Sequence, residues 1–358
     1  MKPGFWKDRR VFVTGHTGFK GSWLCLLLSS LGARVSGYAL EPPTRPDLYT
    51  LARVGELVES TIGDVRDPDR MMKCLEAFAP DVVLHMAAQS VVLHSREDPL
   101  ETYSTNVMGT VHLLDGVRRM RRPCVVVNVT TDKCYDNKGW VWGYRETDAL
   151  GGGDPYSSSK ACAELVGEAY RNSFFAPSRL AEHGVGLCSA RAGNVVGGGD
   201  WTPRQLIPET MAAFMAGRPV VLRQPDAVRP WQHVLDCLDG YLRLAESLAL
   251  DPAAYTGAWN FGPSDADSWP VARVVEELGS LWGMSPAWKL DPETHPGEER
   301  LLRLDASKAA AFLGWRCSLP TREALQWVAD WYRDYRDGRD PRAMCHGQIA
   351  RYRERAES

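Results

Sequence analysis

Near its start the chain reads Val11-Phe12-Val13-Thr14-Gly15-His16-Thr17-Gly18-Phe19-Lys20-Gly21-Ser22-Trp23. That is a short apolar strand, three glycines in a GxxGxxG spacing, then a run of helical character. Gly15 permits a tight turn, Gly18 lets the backbone approach a pyrophosphate, and Gly21 lets helix and strand pack closely. A helix beginning there offers unpaired N–H groups and the positive end of its dipole to phosphate. The segment predicts a strand–turn–helix unit that holds a dinucleotide, with Gly15, Thr17, Gly18, Phe19, Lys20 and Gly21 around it.

Strand candidates continue at Val35–Tyr38, Val58–Ile62, Val82–Met86 and Cys124–Val129. Helical stretches at Pro68–Ala79 and Thr105–Arg119 alternate with them. Runs apolar along their whole length suit strands buried on both faces, and alternation with helices implies a parallel sheet with right-handed crossovers. The expected fold class is α/β, a Rossmann-type doubly wound parallel sheet with a smaller, mostly helical substrate-binding lobe. Residues 1–195 form the dinucleotide domain, with later strands contributed from about 228–265. Residues 196–345 form most of the second lobe, interleaved with the first, and 346–358 read as a frayed, charged C-terminal tail.

Of the 358 residues, 44% are hydrophobic and 24% charged, and the net charge is −3. This excludes a disordered chain and gives no basic field for nucleic acid. No segment approaches the ~18 apolar residues of a membrane span, and Met1–Arg10 does not resemble a signal peptide. The nine cysteines are scattered with no CxxC pair, so neither a disulfide framework nor a metal site is expected. A reducing, cytoplasmic setting follows. Tryptophan is abundant (13, against 9 Phe) and concentrated in the C-terminal half.

For the adenosine end of the cofactor, the acid expected ~20 residues after the glycines is replaced by Glu41, slightly late. His16 and Lys20 would suit a 2′-phosphate instead. Asp64, followed by Val65, either takes an adenine-edge hydrogen bond or caps the next helix. Ala87, Ala88 and Gln89 follow the fourth strand and are expected to line the pocket. His85, inside that strand, reads as a core histidine.

The fifth strand runs into Thr130-Thr131-Asp132-Lys133, and the C-terminal ends of parallel strands are where ligands sit. Downstream comes Asp154-Pro155-Tyr156-Ser157-Ser158-Ser159-Lys160. If Pro155 opens a helix, Tyr156 and Lys160 lie one turn apart on one face. A phenol acts as a base near neutrality only beside a cation, which Lys160 supplies.

With these residues in view, the sequence resembles the extended short-chain dehydrogenase/reductase superfamily over nearly its whole length. Within it, the chain looks like the CDP-glucose 4,6-dehydratases. The resemblance is carried by Gly15–Trp23, Thr105-Asn106-Val107-Met108-Gly109-Thr110, Asp132-Lys133-Cys134-Tyr135, Trp140–Glu146, Arg191–Trp201, Arg229-Pro230-Trp231-Gln232-His233-Val234 and Trp259–Pro263. Sister dehydratases have Asp-Glu where this chain has Asp132-Lys133.

The resemblance implies NAD as cofactor and a CDP-hexose as substrate. Tyr156 would take the 4-OH proton, Thr131 steady that oxygen, and Lys160 hold the ribose and lower the Tyr156 pKa. Asp132 would be the acid for the C6 hydroxyl. Lys133 would either take the C5 proton or, kept charged, polarise the enolate. Asn194 and Arg229 would face the substrate, with Arg229 on the diphosphate; Gln89 would touch both ligands. Asn106 either braces the active-site helix or makes only local bonds. A homodimer or pair of dimers would pack Tyr156–Tyr170 and Thr105–Arg119 across its interface. Alternatives on the same residues are a sugar-nucleotide 4-epimerase and a catalytically silent NAD-binding scaffold.

Three stretches depart from the family pattern: Leu93–Arg96, Arg204-Gln205 and His295-Pro296-Gly297. All three are expected to face the substrate. Trp140, Trp142, Trp201 and Trp231 fall in the family-specific motifs, whereas Trp282, Trp315, Trp327 and Trp331 read as packing of the small lobe.

Overall fold

The structure is a computed structural model and describes residues 1–293 and 301–357. Seven strands form the main sheet: β1 (Arg10–Thr14), β2 (Arg34–Ala39), β3 (Glu59–Ile62), β4 (Val82–His85), β5 (Cys124–Val129), β6 (Val185–Ala192) and β10 (Gly257–Phe261). Their order is β10-β6-β5-β4-β1-β2-β3, and every pairing is parallel. The chain starts at β1 in the interior, winds outward to β3, then returns past β1 to β4, β5 and β6. That reversal is the switch point where a doubly wound sheet opens its ligand crevice.

The helices that matter below are α1 (Phe19–Ser30), α2 (Pro68–Phe78), α3 (Val92–Glu97), α4 (Gly109–Met120), α5 (Pro155–Ser173), α6 (Leu206–Met215), α7 (Val234–Leu250), α8 (Val271–Trp282), α9 (Thr321–Arg336) and α10 (Pro341–Glu357). Between β1 and α1 the packing is as close as backbone allows. A Cβ on Gly21 would lie 2.0 Å from the Gly15 carbonyl oxygen, and one on Gly15 would lie 2.8 Å from the Ala87 nitrogen. Gly15 also has φ +78°, a region other residues rarely adopt.

Beyond β6 the chain builds a second layer. Strands β7 (Asn194–Val196), β9 (Val228–His233) and β11 (Ser268–Pro270) form a small mixed sheet, and β8 (Val220–Leu222) pairs with β12 (Trp288–Leu290). Of the expected contribution of 228–265 to the main sheet, β10 enters it as an edge strand, whereas β9 pairs with β7 and β11. One apolar core joins both layers. It runs from Val11 and Trp23 through Leu235 and Phe261 to Trp315, Trp327 and Trp331.

The expectation of a frayed C-terminal tail is corrected. Helix α10 continues to Glu357, with Cys345, Ile349 and Tyr352 buried along one stripe. A spacing of four and three residues puts them on one face, and the arginines around them (Arg342, Arg351, Arg353 and Arg355) mask that face in a plain reading of charge. Tyr352 donates to Asp236 Oδ1 at 2.9 Å. The same carboxylate accepts from Ser318 N at 2.7 Å, Ser318 Oγ at 3.0 Å and Leu319 N at 3.3 Å. Replacing Tyr352 by Phe leaves this buried carboxyl one donor short. The expected cost is about 2 kcal/mol, read as a shifted urea midpoint with unchanged slope.

Candidate active site

At the N-terminus of α1, Gly18 is the cap residue and no side chain caps the helix. A Cβ on Gly18 would meet nothing closer than 3.5 Å, so no contact inside the chain requires glycine there. An open, uncapped helix start with no side chain at the cap fits a dinucleotide pyrophosphate. Thr17 turns inward and donates to the Leu40 carbonyl at 2.8 Å.

The two cations read as suited to a 2′-phosphate are not held at an adenosine site. His16 is fully buried, with Nε2 2.7 Å from Ser60 Oγ and its ring edge-on to Tyr49. Gly37 leaves room for that ring, and burial pulls its pKa down to about 4, so it is neutral. Lys20 instead lies over the Tyr241 ring, 5.9 Å from its centroid, close enough to Lys160 for their charges to interact. At the end of β3, Asp64 is gripped by the Arg66 guanidinium at 2.5–3.0 Å, which holds its carboxyl low. The cap of α2 is Asp67, accepting from Arg70 N at 3.0 Å, so Asp64 is not the capping residue. Val65 is buried and its carbonyl meets His112 Nδ1 at 2.9 Å.

Strand β4 ends on a polar knot. His85 is buried, with Nδ1 2.7 Å from Thr14 Oγ1 and Nε2 3.3 Å from Thr110 Oγ1; burial holds it neutral, at about 3. Thr14 Oγ1 also accepts from Met86 N at 3.0 Å and Ala87 N at 3.1 Å. Ala87 and Ala88 are half-buried beyond it. Gln89 donates to Thr102 at 2.9 Å and accepts from Val91 N at 2.5 Å, so its side chain is engaged within the loop.

Asn106 settles between its two readings in favour of the brace. It accepts from Gln89 N at 2.9 Å and donates to the Gln89 carbonyl at 3.0 Å and Ser159 Oγ at 2.9 Å. Ser159 in turn donates to the Tyr156 carbonyl at 2.7 Å. The π-turn at Ser104–Met108, just before α4, places Asn106 where it reaches both the β4 loop and α5.

Thr130 to Lys133 leave the end of β5, and Asp132–Cys134 form one 3₁₀ turn. Thr131 donates to Asp132 Oδ1 at 3.0 Å and shares a hydrogen bond with the Tyr156 phenol. Asp154 caps α5 by accepting from Ser157 N at 3.0 Å, and Pro155 opens it as the sequence predicts. Tyr156 is buried, which pushes its phenol above its ordinary range; Thr131 opposes the shift and Asp132 adds to it. Lys160, one turn on, donates to the Val129 carbonyl at 3.2 Å. Burial, then Lys20, pulls its pKa down to about 8.

Opposite this segment lies the corner between β6 and β7. A Cβ on Gly193 would lie 3.1 Å from Asp132 Oδ2 and 2.5 Å from Pro230 Cγ. Asn194 thus follows the glycine that faces Asp132, and Arg229 precedes the proline that packs on that same glycine. Arg229 is nearly buried and its Nη1 donates to the Val228 carbonyl at 2.9 Å.

The departures resolve unevenly. Ser95 is buried and its hydroxyl accepts from Tyr156 N at 3.1 Å, a contact with no motif to announce it. His94 pairs with Glu101 at 2.7 Å, and Arg204 with Glu97 at 2.7 Å, both at the surface. The His295-Pro296-Gly297 stretch lies outside the described residues. Among the described residues, no group of three or more His, Cys, Asp or Glu could hold a metal ion, and no helix is long and apolar enough to cross a membrane.

Residues 12–327 match the GDP-mannose 4,6 dehydratase family model. The CDP-glucose 4,6-dehydratase of Salmonella typhimurium is 50% identical over 352 residues, covering 98% of each chain. The dTDP-glucose 4,6-dehydratase of Xanthomonas campestris is 28% identical, over 89% of this chain and 92% of that one. Among solved structures, the dTDP-glucose 4,6-dehydratase of Streptomyces venezuelae, crystallised with NAD, superposes with a TM-score of 0.78 at 25% identity. It covers 93% of this chain and 99% of its own. The UDP-glucose 4-epimerase of Thermus thermophilus shares the fold, with a TM-score of 0.75 at 24% identity over 90% of this chain and 99% of that one. Matched by the family model over most of its length and by a half-identical relative from end to end, the chain belongs to the nucleotide-sugar 4,6-dehydratase family.

Proposed function

We propose that the protein converts CDP-glucose to CDP-4-keto-6-deoxyglucose with NAD as a resident cofactor. The observation that carries the reading is the meeting of Thr131, Asp132 and Tyr156 around one hydroxyl, with Lys160 a turn away. The half-identical relative bears the name of this reaction. The glycine turn from Gly15 to Gly21 and the uncapped start of α1 would hold the NAD pyrophosphate, with Asp64, Val65, Ala87, Ala88, Gln89 and Thr130 beside the rest. NAD bound there would supply a hydride acceptor at C4, the hydride for C6 and positive charge near Tyr156.

Tyr156 takes the proton of the 4-hydroxyl while Thr131 holds that oxygen. The phenol starts above its ordinary range, so it depends on positive charge, and Lys160 provides it. The ketone formed at C4 acidifies the proton on C5, and Lys133 takes it. Asp132, protonated, gives its proton to the C6 hydroxyl, which leaves as water. Lys133 then returns a proton to C5, and the proton left on Tyr156 passes back to Asp132 through solvent. Asn194 and Arg229 bind the nucleotide side, where a guanidinium suits diphosphate geometry. Asp132 distinguishes this reading from a 4-epimerase, which needs no acid at C6.

The second layer, 196–345, would cover the sugar nucleotide against the sheet edge. A homodimer through α4 and α5 agrees with the exposed apolar side chains of Leu100 (82%), Met108 (45%), Leu165 (53%) and Phe174 (43%). A reducing, cytoplasmic setting is part of the same reading, supported by the scattered spacing of the nine cysteines along the sequence.

With C4-deuterated CDP-glucose, the label is expected at C6 of the product by NMR; loss to solvent or retention at C4 overturns the reading. Lys133→Met is expected to abolish exchange of the C5 proton with solvent, whereas near-normal exchange would remove Lys133 from the base role. Lys160 loses its charge as pH rises through about 8. The rate kcat/KM is therefore expected to fall on the alkaline side near that value. In Lys160→Arg, which stays charged, that limb should move to higher pH at lower overall activity.

A further inference from the structure

One buried ion pair grips both ends of the segment that carries Thr131, Asp132 and Lys133. At its start, the Thr130 hydroxyl donates to Glu164 Oε1. At its end, the Tyr135 hydroxyl accepts from Arg191 Nη1 at 2.8 Å and donates to Asn260 Oδ1 at 2.7 Å. Glu164 and Arg191 meet at 3.0 Å, each side chain only 4% exposed. The Arg191 guanidinium also packs on the Tyr135 ring, 4.9 Å from its centroid. Glu164 sits one turn beyond Lys160 on α5, and Arg191 sits on β6. Thr130, Glu164, Arg191 and Tyr135 thus close a ring whose remaining arc is the catalytic segment itself.

Stability alone does not account for such a pair. Taking two charges out of water is expensive, and apolar residues of similar volume often serve as well. What apolar residues cannot do is fix hydrogen bonds at two points of a turn. The ring ties the segment from β5 to the same helix that carries Tyr156 and Lys160.

We propose that Glu164 and Arg191 are positioning residues that hold Asp132 and Lys133 in register with Tyr156 and Lys160, so that both halves of the reaction proceed from one alignment of the sugar. This rests on the reading of the site given above. The halves use different anchors. Oxidation at C4 has its base, Tyr156, on α5 and takes only the Thr131 hydrogen bond from the ringed segment, whereas elimination has both its acid and its base, Asp132 and Lys133, on that segment. Loosening the ring should therefore slow elimination more than oxidation.

The test is Glu164→Gln as the NAD-loaded full chain with CDP-glucose. It follows product formation, the near-ultraviolet absorbance of reduced nicotinamide, and thermal melting. A folded variant is expected to lose roughly 10²-fold in kcat at near-parental KM. It should also accumulate reduced nicotinamide during turnover, which the parent does not. Parental kcat, or a lower kcat without that accumulation, overturns the proposal. If Glu164→Gln does not fold, Thr130→Val and Tyr135→Phe each remove one grip and keep the ion pair. Accumulation in either supports the proposal, and parental partition in both overturns it. The parent, run with C4-deuterated substrate, separates the two ideas. If it fails to move the label to C6, the reading of the site fails; if it does so, the variants judge the ring alone.

Discussion

Parallel pairing puts the C-terminal ends of all seven strands on one edge of the sheet, and the candidate site depends on that edge. The glycine turn leaves β1 there, the Thr14–His85 knot and Gln89 leave β4, and the Thr131–Lys133 turn leaves β5. None of these groups is a sequence neighbour of the others. They converge because each strand delivers its last residue to the same crevice, and α5 then lays Tyr156 and Lys160 across it. Burial on that edge sets the electrostatics: Tyr156 is pushed up and Lys160 down by the same loss of water.

The sheet, the glycine turn and the tyrosine–lysine helix were legible in the sequence because each has a local pattern. Apolar strands, a GxxGxxG spacing and a proline-opened helix are short-range signals. What escaped was set by distant partners. His16 is next to the glycines in sequence and looked like a phosphate contact, yet Gly37 and Ser60 draw it under β2 as a neutral core group. Nothing in the sequence announces that Thr102 and the Val91 amide hold the Gln89 side chain within its loop. The stripe of α10 was hidden because Cys345, Ile349 and Tyr352 stand in a stretch rich in arginine. Glu164 carried no signal, and Arg191 stood at the head of a family motif with no role attached, since a buried ion pair is visible only once helix and strand are side by side.

The tryptophans divide by what they touch. Trp327 and Trp331 close the core under the β6–β7 region, with Trp331 filling the space a side chain on Gly198 would need. Trp201 leans edge-on against Tyr332 and Tyr335, and Trp231 is buried in β9, so both serve packing although they lie in family-specific motifs. Trp140 and Trp142 are different. They stand exposed on a stack that continues through Tyr144 to Tyr135, the residue that Arg191 grips. The loop that carries Trp140 and Trp142 is thus built on the same post as the Thr131–Lys133 turn.

Asp236 bears on how the protein is made. Its carboxylate is buried on α7, yet its donors come from Ser318, Leu319 and Tyr352, which are 82 to 116 positions further along. On a growing chain, α7 leaves the ribosome long before any of them. Until they arrive, the carboxylate has no donors to replace water, and the surface of α7 that carries it has reason to stay wet. Strands β1 to β5 meet no such delay, because their sheet partners are already synthesised once β6 emerges; β6 alone waits for β10 on its other side. Domains tend to fold in the order they emerge. The second layer would thus be completed last, over a sheet whose strands β1 to β6 are already in place.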